Sequence, residues 1–199
     1  AGFAHTFSIV ARDEVTGEMA VGVQSHWFSV GTAVSWGEAG VGVVATQSFV
    51  NKSYGLKGLA LMKQGKTAPD ALKELLAVDE GREVRQVAMI DAHGNVNAYT
   101  GKNCIDYASN IVGKNYSVQS NMMLTNNVCE AMSKAFLASE GKSLAERVLI
   151  ALHAAQAAGG DIRGKQSAAI LVVAGKSTGQ PWNERLIDLR VDDNKAPLD

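Results

Sequence analysis

The chain has 199 residues, of which 46% are hydrophobic and 20% are charged, and its formal net charge is -1. This length and composition are typical of one globular domain with its own core. The near-neutral charge argues against nucleic acid or an anionic membrane as the main partner, and no apolar run reaches the ~20 residues that cross a bilayer. We therefore predict a single domain over residues 1–199, with neither nucleic acid nor a membrane as a partner.

The first part of the sequence alternates between apolar and polar residues with the period of β-strands. The stretches TFSIVARD and EMAVGVQS predict two strands joined by a turn at residues 13–17. The glycine-rich residues 33–50 predict a further strand pair or one bent strand. The first strand carries Thr6 and Ser8 on one face and apolar side chains on the other, because successive side chains of a strand alternate.

Helical periodicity follows and then gives way to strands again. Two helices are predicted between residues 54 and 79, the second with Thr67 as its N-cap. The stretch RQVAMIDAHGNVNAYTG predicts a hairpin, and YSVQSNMML predicts another strand. Two more helices follow, and the second begins with a capping box of Ser143 and Glu146. The stretches SAAILVVAG and RLIDLRVDD predict the last strands.

This order of elements predicts an α+β fold. Each helix pair is amphipathic and needs a sheet to cover. Two antiparallel sheets packed together and flanked by helix pairs, a four-layer αββα sandwich, would bury all of these faces. A three-layer α+β arrangement would account for much of the same periodicity.

Thr6 is the first candidate for chemistry. A threonine hydroxyl becomes a nucleophile when a base activates it, and an N-terminal threonine carries such a base in its own α-amino group. The pKa of that amine is about 7.7–8.0, so a useful fraction is neutral at physiological pH. The strand pattern alone favours the plainer interpretation, in which Thr6 only begins a strand.

The stretch GGDIRGKQSAA is the second candidate, and it places Asp161, Arg163, Gln166 and Ser167 between a helix end and a strand start. Its glycines allow the backbone to approach a ligand, and an arginine offers a planar fork to a carboxylate. The alternative is a helix C-cap followed by a solvated turn.

Other polar residues lie near predicted strand ends. Thr46 and Gln47 end an apolar strand, where side chains often line sites. Ser25 precedes His26, but neighbours on a strand point to opposite faces, so we expect no Ser–His pair. Cys104 is a candidate nucleophile, although a small buried apolar residue is the plainer interpretation.

The sequence contains few patterns that would indicate a disulfide, a metal site or a cofactor. Cys104 and Cys129 permit one disulfide but fit a reducing compartment equally well. The sequence has no phosphate-binding loop, dinucleotide fingerprint or Cys/His metal spacing. We therefore predict no metal and no cofactor.

Several of the stretches quoted above, together with YGLKGLALM and TGKNC, resemble one family, the domain of unknown function 1028, which is placed among the N-terminal nucleophile (Ntn) hydrolase-like folds. The resemblance runs from Thr6 to about Asp193 and is most specific at residues 44–47 and 159–168. It implies the αββα sandwich and a nucleophile at Thr6. At residues 119–121 the chain has Gln-Ser-Asn, where the family more often has Gln-Gly-Asn.

Family members often begin with Met followed by the threonine that matches Thr6, so that removal of Met exposes it. Here AGFAH precedes Thr6. We expect residues 1–5 to be an N-terminal extension or a remnant of processing or cloning. Signal-peptide removal would indicate a periplasmic or secreted protein, and a cytoplasmic location is the alternative.

The resemblance favours an Ntn-type amidohydrolase that acts on a small-molecule or peptide amide. Thr6 would attack the amide carbonyl, and Asp161 and Arg163, expected within its reach at the open end of the sandwich, would orient the reactants. Gln47 or Asn121 would help backbone N–H groups to hold the oxyanion. The predicted substrate-binding residues are Ser8, Ser25, Thr46, Gln47, Asn121, Gln166 and Ser167.

Two other functions stay open. The chain could be a non-catalytic ligand-binding or scaffold protein that keeps the fold, which the residues before Thr6 favour. It could also be a cysteine hydrolase that uses Cys104. We further expect a homodimer or a higher homo-oligomer, because Ntn-like folds commonly assemble and because aromatic residues lie near predicted loops: Trp27, Trp36, Tyr54 and Trp182.

Overall fold

The computed structural model describes residues 6–105 and 107–199, so the expectation for residues 1–5 lies outside the described residues. The described strands are β1 Thr6–Arg12, β2 Met19–Ser25, β3 Ser35–Glu38, β4 Gly42–Ser48, β5 Arg85–Asp91, β6 Val96–Thr100, β7 Ser109–Gly113, β8 Tyr116–Asn121, β9 Ser167–Val173 and β10 Arg185–Val191. The described α-helices are α1 Gly31–Val34, α2 Ser53–Lys63, α3 Ala68–Ala77, α4 Val128–Ala138 and α5 Leu144–Ala157. Short 3₁₀ turns lie at Arg82–Val84 and Pro181–Asn183.

The strands form two antiparallel sheets. The larger sheet has the order β10-β9-β2-β1-β8-β7, and the smaller has the order β3-β4-β5-β6. The predicted α+β fold with two antiparallel sheets is therefore confirmed, and residues 33–50 contain the strand pair β3 and β4 rather than one bent strand. β7 is not among the predicted strands, since its two large apolar residues, Ile111 and Val112, are adjacent and do not alternate.

Three hydrophobic clusters hold these elements together. In the first, Phe7 of β1 packs with Met132 of α4 and Leu152 of α5. The second contains residues of both sheets, such as Val10 and Val43. The third joins β4 and β5 to α2 and α3 through Val44, Met89, Leu59 and Leu72.

Close packing of α5 on the larger sheet depends on Gly22 in β2. A Cβ atom at this position would lie 2.3 Å from the Val148 Cγ1 atom, far inside van der Waals contact. Gly22 therefore lets the helix approach the strand at a distance that a larger residue would prevent.

The helix starts follow their predicted caps. The Ser143 hydroxyl accepts a hydrogen bond from the Glu146 backbone N–H at 3.3 Å, and the Glu146 carboxylate accepts one from the Ser143 N–H at 3.1 Å. The Thr67 hydroxyl accepts from the Asp70 N–H at 3.3 Å at the start of α3. Both caps satisfy N–H groups that have no partner within the helix.

The expected oligomer was based partly on four aromatic residues, and one of them, Tyr54, is not at the surface. Tyr54 is buried, and its hydroxyl donates a hydrogen bond to Asp79 Oδ2 at 2.7 Å. Burial and the neighbouring Asp79 raise the pKa of Tyr54 far above its ordinary value. Tyr54 thus belongs to the core and cannot form an interface between copies, whereas Trp27 and Trp182 are exposed.

Cys104 and Cys129 are free thiols. None of the helices in residues 6–105 and 107–199 combines the length and the apolar character that spanning a bilayer demands.

We predict that Ser143→Ala lowers the free energy of unfolding by about 1 kcal/mol, because it removes the N-cap of α5. Chemical denaturation followed by circular dichroism measures this loss. The matched control is Ser35→Ala, whose buried hydroxyl finds no hydrogen-bond partner among the described residues. That control should be neutral or slightly stabilising, and an equal loss in both variants would contradict the prediction.

Candidate functional site

One end of the larger sheet carries a row of polar residues. Thr6 begins β1, and its directly opposite neighbours are Ser25 at the end of β2 and Asn121 at the end of β8. Ser25 in turn faces Ser167 on β9. Directly opposite residues in a ladder share one face, so these four side chains form a line across four adjacent strands.

The smaller sheet presents a matching polar row. Gln47 of β4 lies opposite Gln86 of β5, which lies opposite Thr100 of β6. Two residues away along the same strands, Ala45 and Ala88 belong to the hydrophobic cluster that contains residues of both sheets. Polar side chains of both sheets therefore meet at the end where β1 begins.

Gln86 is the centre of the contact between the two rows. Its Oε1 atom accepts hydrogen bonds from Gln47 Nε2 at 2.7 Å and from Asn121 Nδ2 at 2.9 Å. Its Nε2 atom lies 2.9 Å from both Thr100 Oγ1 and the Ser120 carbonyl oxygen. Because Gln86 is fully buried, these bonds replace the water that its amide loses on folding.

Thr6 and Ser8 join the same network from β1. The Thr6 hydroxyl donates to Ser25 Oγ at 3.1 Å. The Ser8 hydroxyl donates to Gln47 Oε1 at 2.6 Å and accepts from Gln119 Nε2 at 2.7 Å. We call the hydrogen-bonded set the polar cluster, and it consists of Thr6, Ser8, Ser25, Gln47, Gln86, Thr100, Gln119 and Asn121.

The loop that carries Asp161 is anchored beside this cluster. The His26 N–H, directly after Ser25, donates to Asp161 Oδ2 at 3.0 Å. The Ile162 N–H donates to the carbonyl of Met122, directly after Asn121, at 3.3 Å. The loop is thus bonded to the ends of both strands that flank Thr6, which places Asp161 at the Thr6 end of the sheet.

Arg163 lies on the outer side of that loop. Its backbone N–H donates to Asp161 Oδ1 at 2.8 Å, and its Nη2 atom donates to the His26 carbonyl at 2.9 Å. The Asp161 side chain is fully buried, whereas the Arg163 side chain is 34% exposed. The positive charge of Arg163 is therefore accessible to a group that approaches the polar cluster from solvent.

Three predicted substrate-binding residues have other partners. Thr46 lies on the opposite face of β4 from Gln47, and its hydroxyl donates to the Asn51 carbonyl at 3.3 Å. Ser167 donates to the Trp27 carbonyl and accepts from the Val30 N–H.

The Gln166 side chain donates to Asp193 Oδ1 at 3.2 Å, toward the end of the chain. The structure therefore brings Thr6, Ser8, Ser25, Gln47 and Asn121 into one cluster and does not bring Thr46, Gln166 or Ser167 into it. The roles assigned to all these residues stay predictions.

Three members of the cluster were not predicted from the sequence: Gln86, Gln119 and Thr100. Gln86 had a visible signal, because it shares a face with Ala88 and Ile90 and is the one amide on that apolar stripe. A lone amide in a buried strand needs partners, and here they come from the neighbouring strands β4 and β6 and from β8 of the other sheet.

Left-handed backbone lies just beyond this end of the strands. Ser48 follows Gln47 with a φ of 68°, and Met122 follows Asn121 with a φ of 53°. Ser29, in the loop after β2, has a φ of 52°. Such conformations cost energy for residues with a side chain and cluster at functional sites, so they support a site at this end.

Cys104 lies in a setting that disfavours a nucleophile. It is partly buried, and its thiol donates to the Arg85 carbonyl at 3.3 Å. Burial raises the pKa of the Cys104 thiol, whereas a catalytic cysteine needs a lowered pKa. Within residues 6–105 and 107–199, no group of three or more His, Cys, Asp or Glu side chains could hold a metal ion.

We predict that Gln86→Leu lowers the free energy of unfolding by roughly 2–4 kcal/mol, because it leaves the buried amides of Gln47 and Asn121 without their acceptor. Urea denaturation measures the loss. Gln64→Leu, at an exposed position, is the control and should change stability little. Equal effects of the two substitutions would show that the network adds no stability.

We also predict slow alkylation of Cys104 by iodoacetamide at pH 7. Only the thiolate reacts, and a raised pKa leaves less thiolate at this pH than the unfolded chain has. The rate should rise steadily as the pH increases above 8, as measured by mass spectrometry of the peptide around Cys104. Faster reaction of the folded than of the unfolded protein at pH 7 would revive the cysteine-hydrolase alternative.

Similarity to known proteins extends over nearly the whole chain. The model of the family described as "Family of unknown function (DUF1028)" matches residues 6–199. The crystal structure of protein SPO2555 from Silicibacter pomeroyi, of the same family, superposes with a TM-score of 0.87 at 32% sequence identity. That match covers 98% of this chain and 81% of the other. No curated protein matches this chain. On these findings, the chain belongs to the DUF1028 family.

Proposed function

We propose that this protein is an amide hydrolase of the Ntn type, with Thr6 as its nucleophile once the peptide bond before Thr6 has been cleaved. The observation that carries the proposal is the setting of Thr6. It begins a central strand, its hydroxyl is bonded to Ser25, and the amides of Gln47 and Asn121 lie in the same hydrogen-bonded cluster.

The arrangement of the core supports the four-layer αββα sandwich that this proposal requires. One hydrophobic cluster contains residues of both sheets, and the other two join each sheet to its own helix pair. In such a sandwich the nucleophile lies at the edge between two facing sheets, where the polar cluster lies.

The chemistry would follow from the free α-amine of Thr6. The amine takes the hydroxyl proton while Oγ1 attacks the substrate carbonyl carbon, and the carbonyl oxygen becomes an oxyanion. Asn121 gives one amide hydrogen to Gln86, and its second one would donate to the oxyanion. The oxyanion then re-forms the carbonyl while the C–N bond of the substrate breaks, and the protonated Thr6 amine gives its proton to the leaving nitrogen. Water hydrolyses the ester that remains on Thr6 and restores the hydroxyl.

Asp161 and Arg163 would position the reactants. The buried Asp161 carboxylate would hold the ammonium form of the Thr6 amine, because its loop is bonded to the ends of both flanking strands. Arg163, partly exposed and next to Asp161, would bind an anionic group of the substrate. Ser8 and Ser25 would fix the position of Thr6 in the cluster.

A non-catalytic ligand-binding or scaffold protein is the second candidate. The observation that favours it is the burial of Thr6, which has no exposed surface. A substrate carbonyl cannot reach a fully buried hydroxyl. The two candidates therefore differ in whether removal of the residues before Thr6 creates an activity.

We predict that a chain beginning at Thr6 hydrolyses at least one member of a broad panel of amides and short peptides. The chain beginning at Ala1 should be about 10²–10⁴-fold slower, because its Thr6 nitrogen is an amide and cannot act as the general base. In the trimmed chain, Thr6→Ala should abolish turnover and Thr6→Ser should keep part of it. Release of the amine product measures each rate.

The control for these variants is Thr16→Ala in the trimmed chain, in the turn at the opposite end of β1. It should keep full activity. If trimmed and untrimmed chains behave alike and Thr6→Ala changes nothing in either, the amidohydrolase proposal is wrong and the ligand-binding alternative takes its place.

A further inference from the structure

The strand β10 forms one edge of the larger sheet and is unusually open. In the described part of the chain, it is hydrogen-bonded only to β9. Leu189 is 67% exposed, and Val191 is 37% exposed. An exposed edge strand with large apolar residues is a template for pairing with another strand, and proteins usually protect such an edge.

The two faces of β10 differ sharply. Ile187, Leu189 and Val191 lie opposite residues of β9 that face α5. Asp188 and Arg190 lie opposite Leu171 and Ala169, on the face turned toward the smaller sheet. Along this stretch one face is apolar and the other is charged.

We propose that β10 pairs antiparallel with β10 of a second copy of the chain, with Leu189 opposite Leu189 of the second copy. The two larger sheets would then form one continuous sheet across a two-fold axis. Because this axis is perpendicular to the sheet, each residue would meet a residue on the same face.

Side-chain complementarity selects this register. With Leu189 at the axis, Asp188 of each copy lies opposite Arg190 of the other, and Ile187 lies opposite Val191. Every pair from residue 187 to 191 is then either apolar or of opposite charge. Such directly opposite pairs stabilise an antiparallel ladder.

The neighbouring symmetric registers lack this match. If Asp188 were at the axis, it would face Asp188 of the second copy, and if Arg190 were at the axis, it would face Arg190. Like charges directly opposite each other destabilise a ladder. If Asp188 and Arg190 only protected the edge of the sheet from pairing, opposite charges would not be expected to face each other in any one register.

Two further features fit an interface. An apolar groove of about 300 Å³ lies beside Leu189 and Val191, and its other walls include Leu149, Leu152, Pro197 and Leu198. The groove extends the apolar face of β10. A dimer could therefore bury more apolar surface than the five residue pairs of the two β10 strands provide.

The charged groups of β10 are free to change partners. Arg185 lies 2.8 Å from Asp188, and Arg190 lies 2.7 Å from Asp192, in ion pairs that are about half exposed. Exposed pairs of this kind contribute little stability, so exchanging them across an interface costs little.

Charge reversal tests both the interface and its register. Sedimentation velocity of the full chain at tens of micromolar should show a dimer. Asp188→Arg and Arg190→Asp should each raise the dimer dissociation constant by about tenfold or more, because each makes both charged pairs repulsive. The double variant Asp188→Arg/Arg190→Asp should restore the dimer, since it only exchanges the two charges.

Mixing the two single variants should also restore association, as a heterodimer. Glu130→Arg, an exposed charge reversal on α4, is the control and should leave the dimer intact. Thermal unfolding checks that each variant is folded. A wild-type chain that stays monomeric, single variants that dimerise normally, or a double variant that stays monomeric would each overturn the proposal.

Discussion

The need to pair buried amides is the constraint on which the rest of this structure depends. Gln86 has no access to water, and its side-chain oxygen accepts hydrogen bonds from amides of both sheets. A slip of β5 by one residue would turn Gln86 toward the helices and leave Gln47 and Asn121 without an acceptor. A partly satisfied network is worse than an apolar core, so the cluster favours one register of the two sheets over others.

The second hydrophobic cluster and the polar cluster both contain residues of the two sheets, and they contribute to the structure in different ways. Beyond the polar cluster, Val10, Val43 and their neighbours remove apolar surface from water, which drives folding but is not directional. The hydrogen bonds near Thr6 are directional and fix where each side chain points. The Asp161 loop adds to this order because it is bonded to both strands beside Thr6. Rigid placement of several polar groups is what a binding or catalytic site requires.

Local patterns in the sequence predicted most elements but only part of the site. Alternation identified β1 and β2, and capping residues identified the starts of α3 and α5. The contrast between Thr46 and Gln47 shows the limit. Both faces of β4 are buried, so alternation does not tell which of the two neighbours faces the other sheet. Gln86 shows a different limit. It stands out as the one amide on an apolar stripe of β5, but two of its partners, Gln47 and Asn121, come from strands that are distant in sequence, and no local pattern identifies them.

The position of β1 in the larger sheet has a consequence for the order of events during synthesis. Its two ladder partners are β2 and β8, so Thr6 meets Asn121 only after more than half of the chain has been made. The loop at Asp161 is made later still. Pairings between such distant segments form slowly and late in folding. The surroundings of Thr6 therefore do not exist on a short nascent chain, and any reaction that depends on them must wait until the segment around Asp161 has been made.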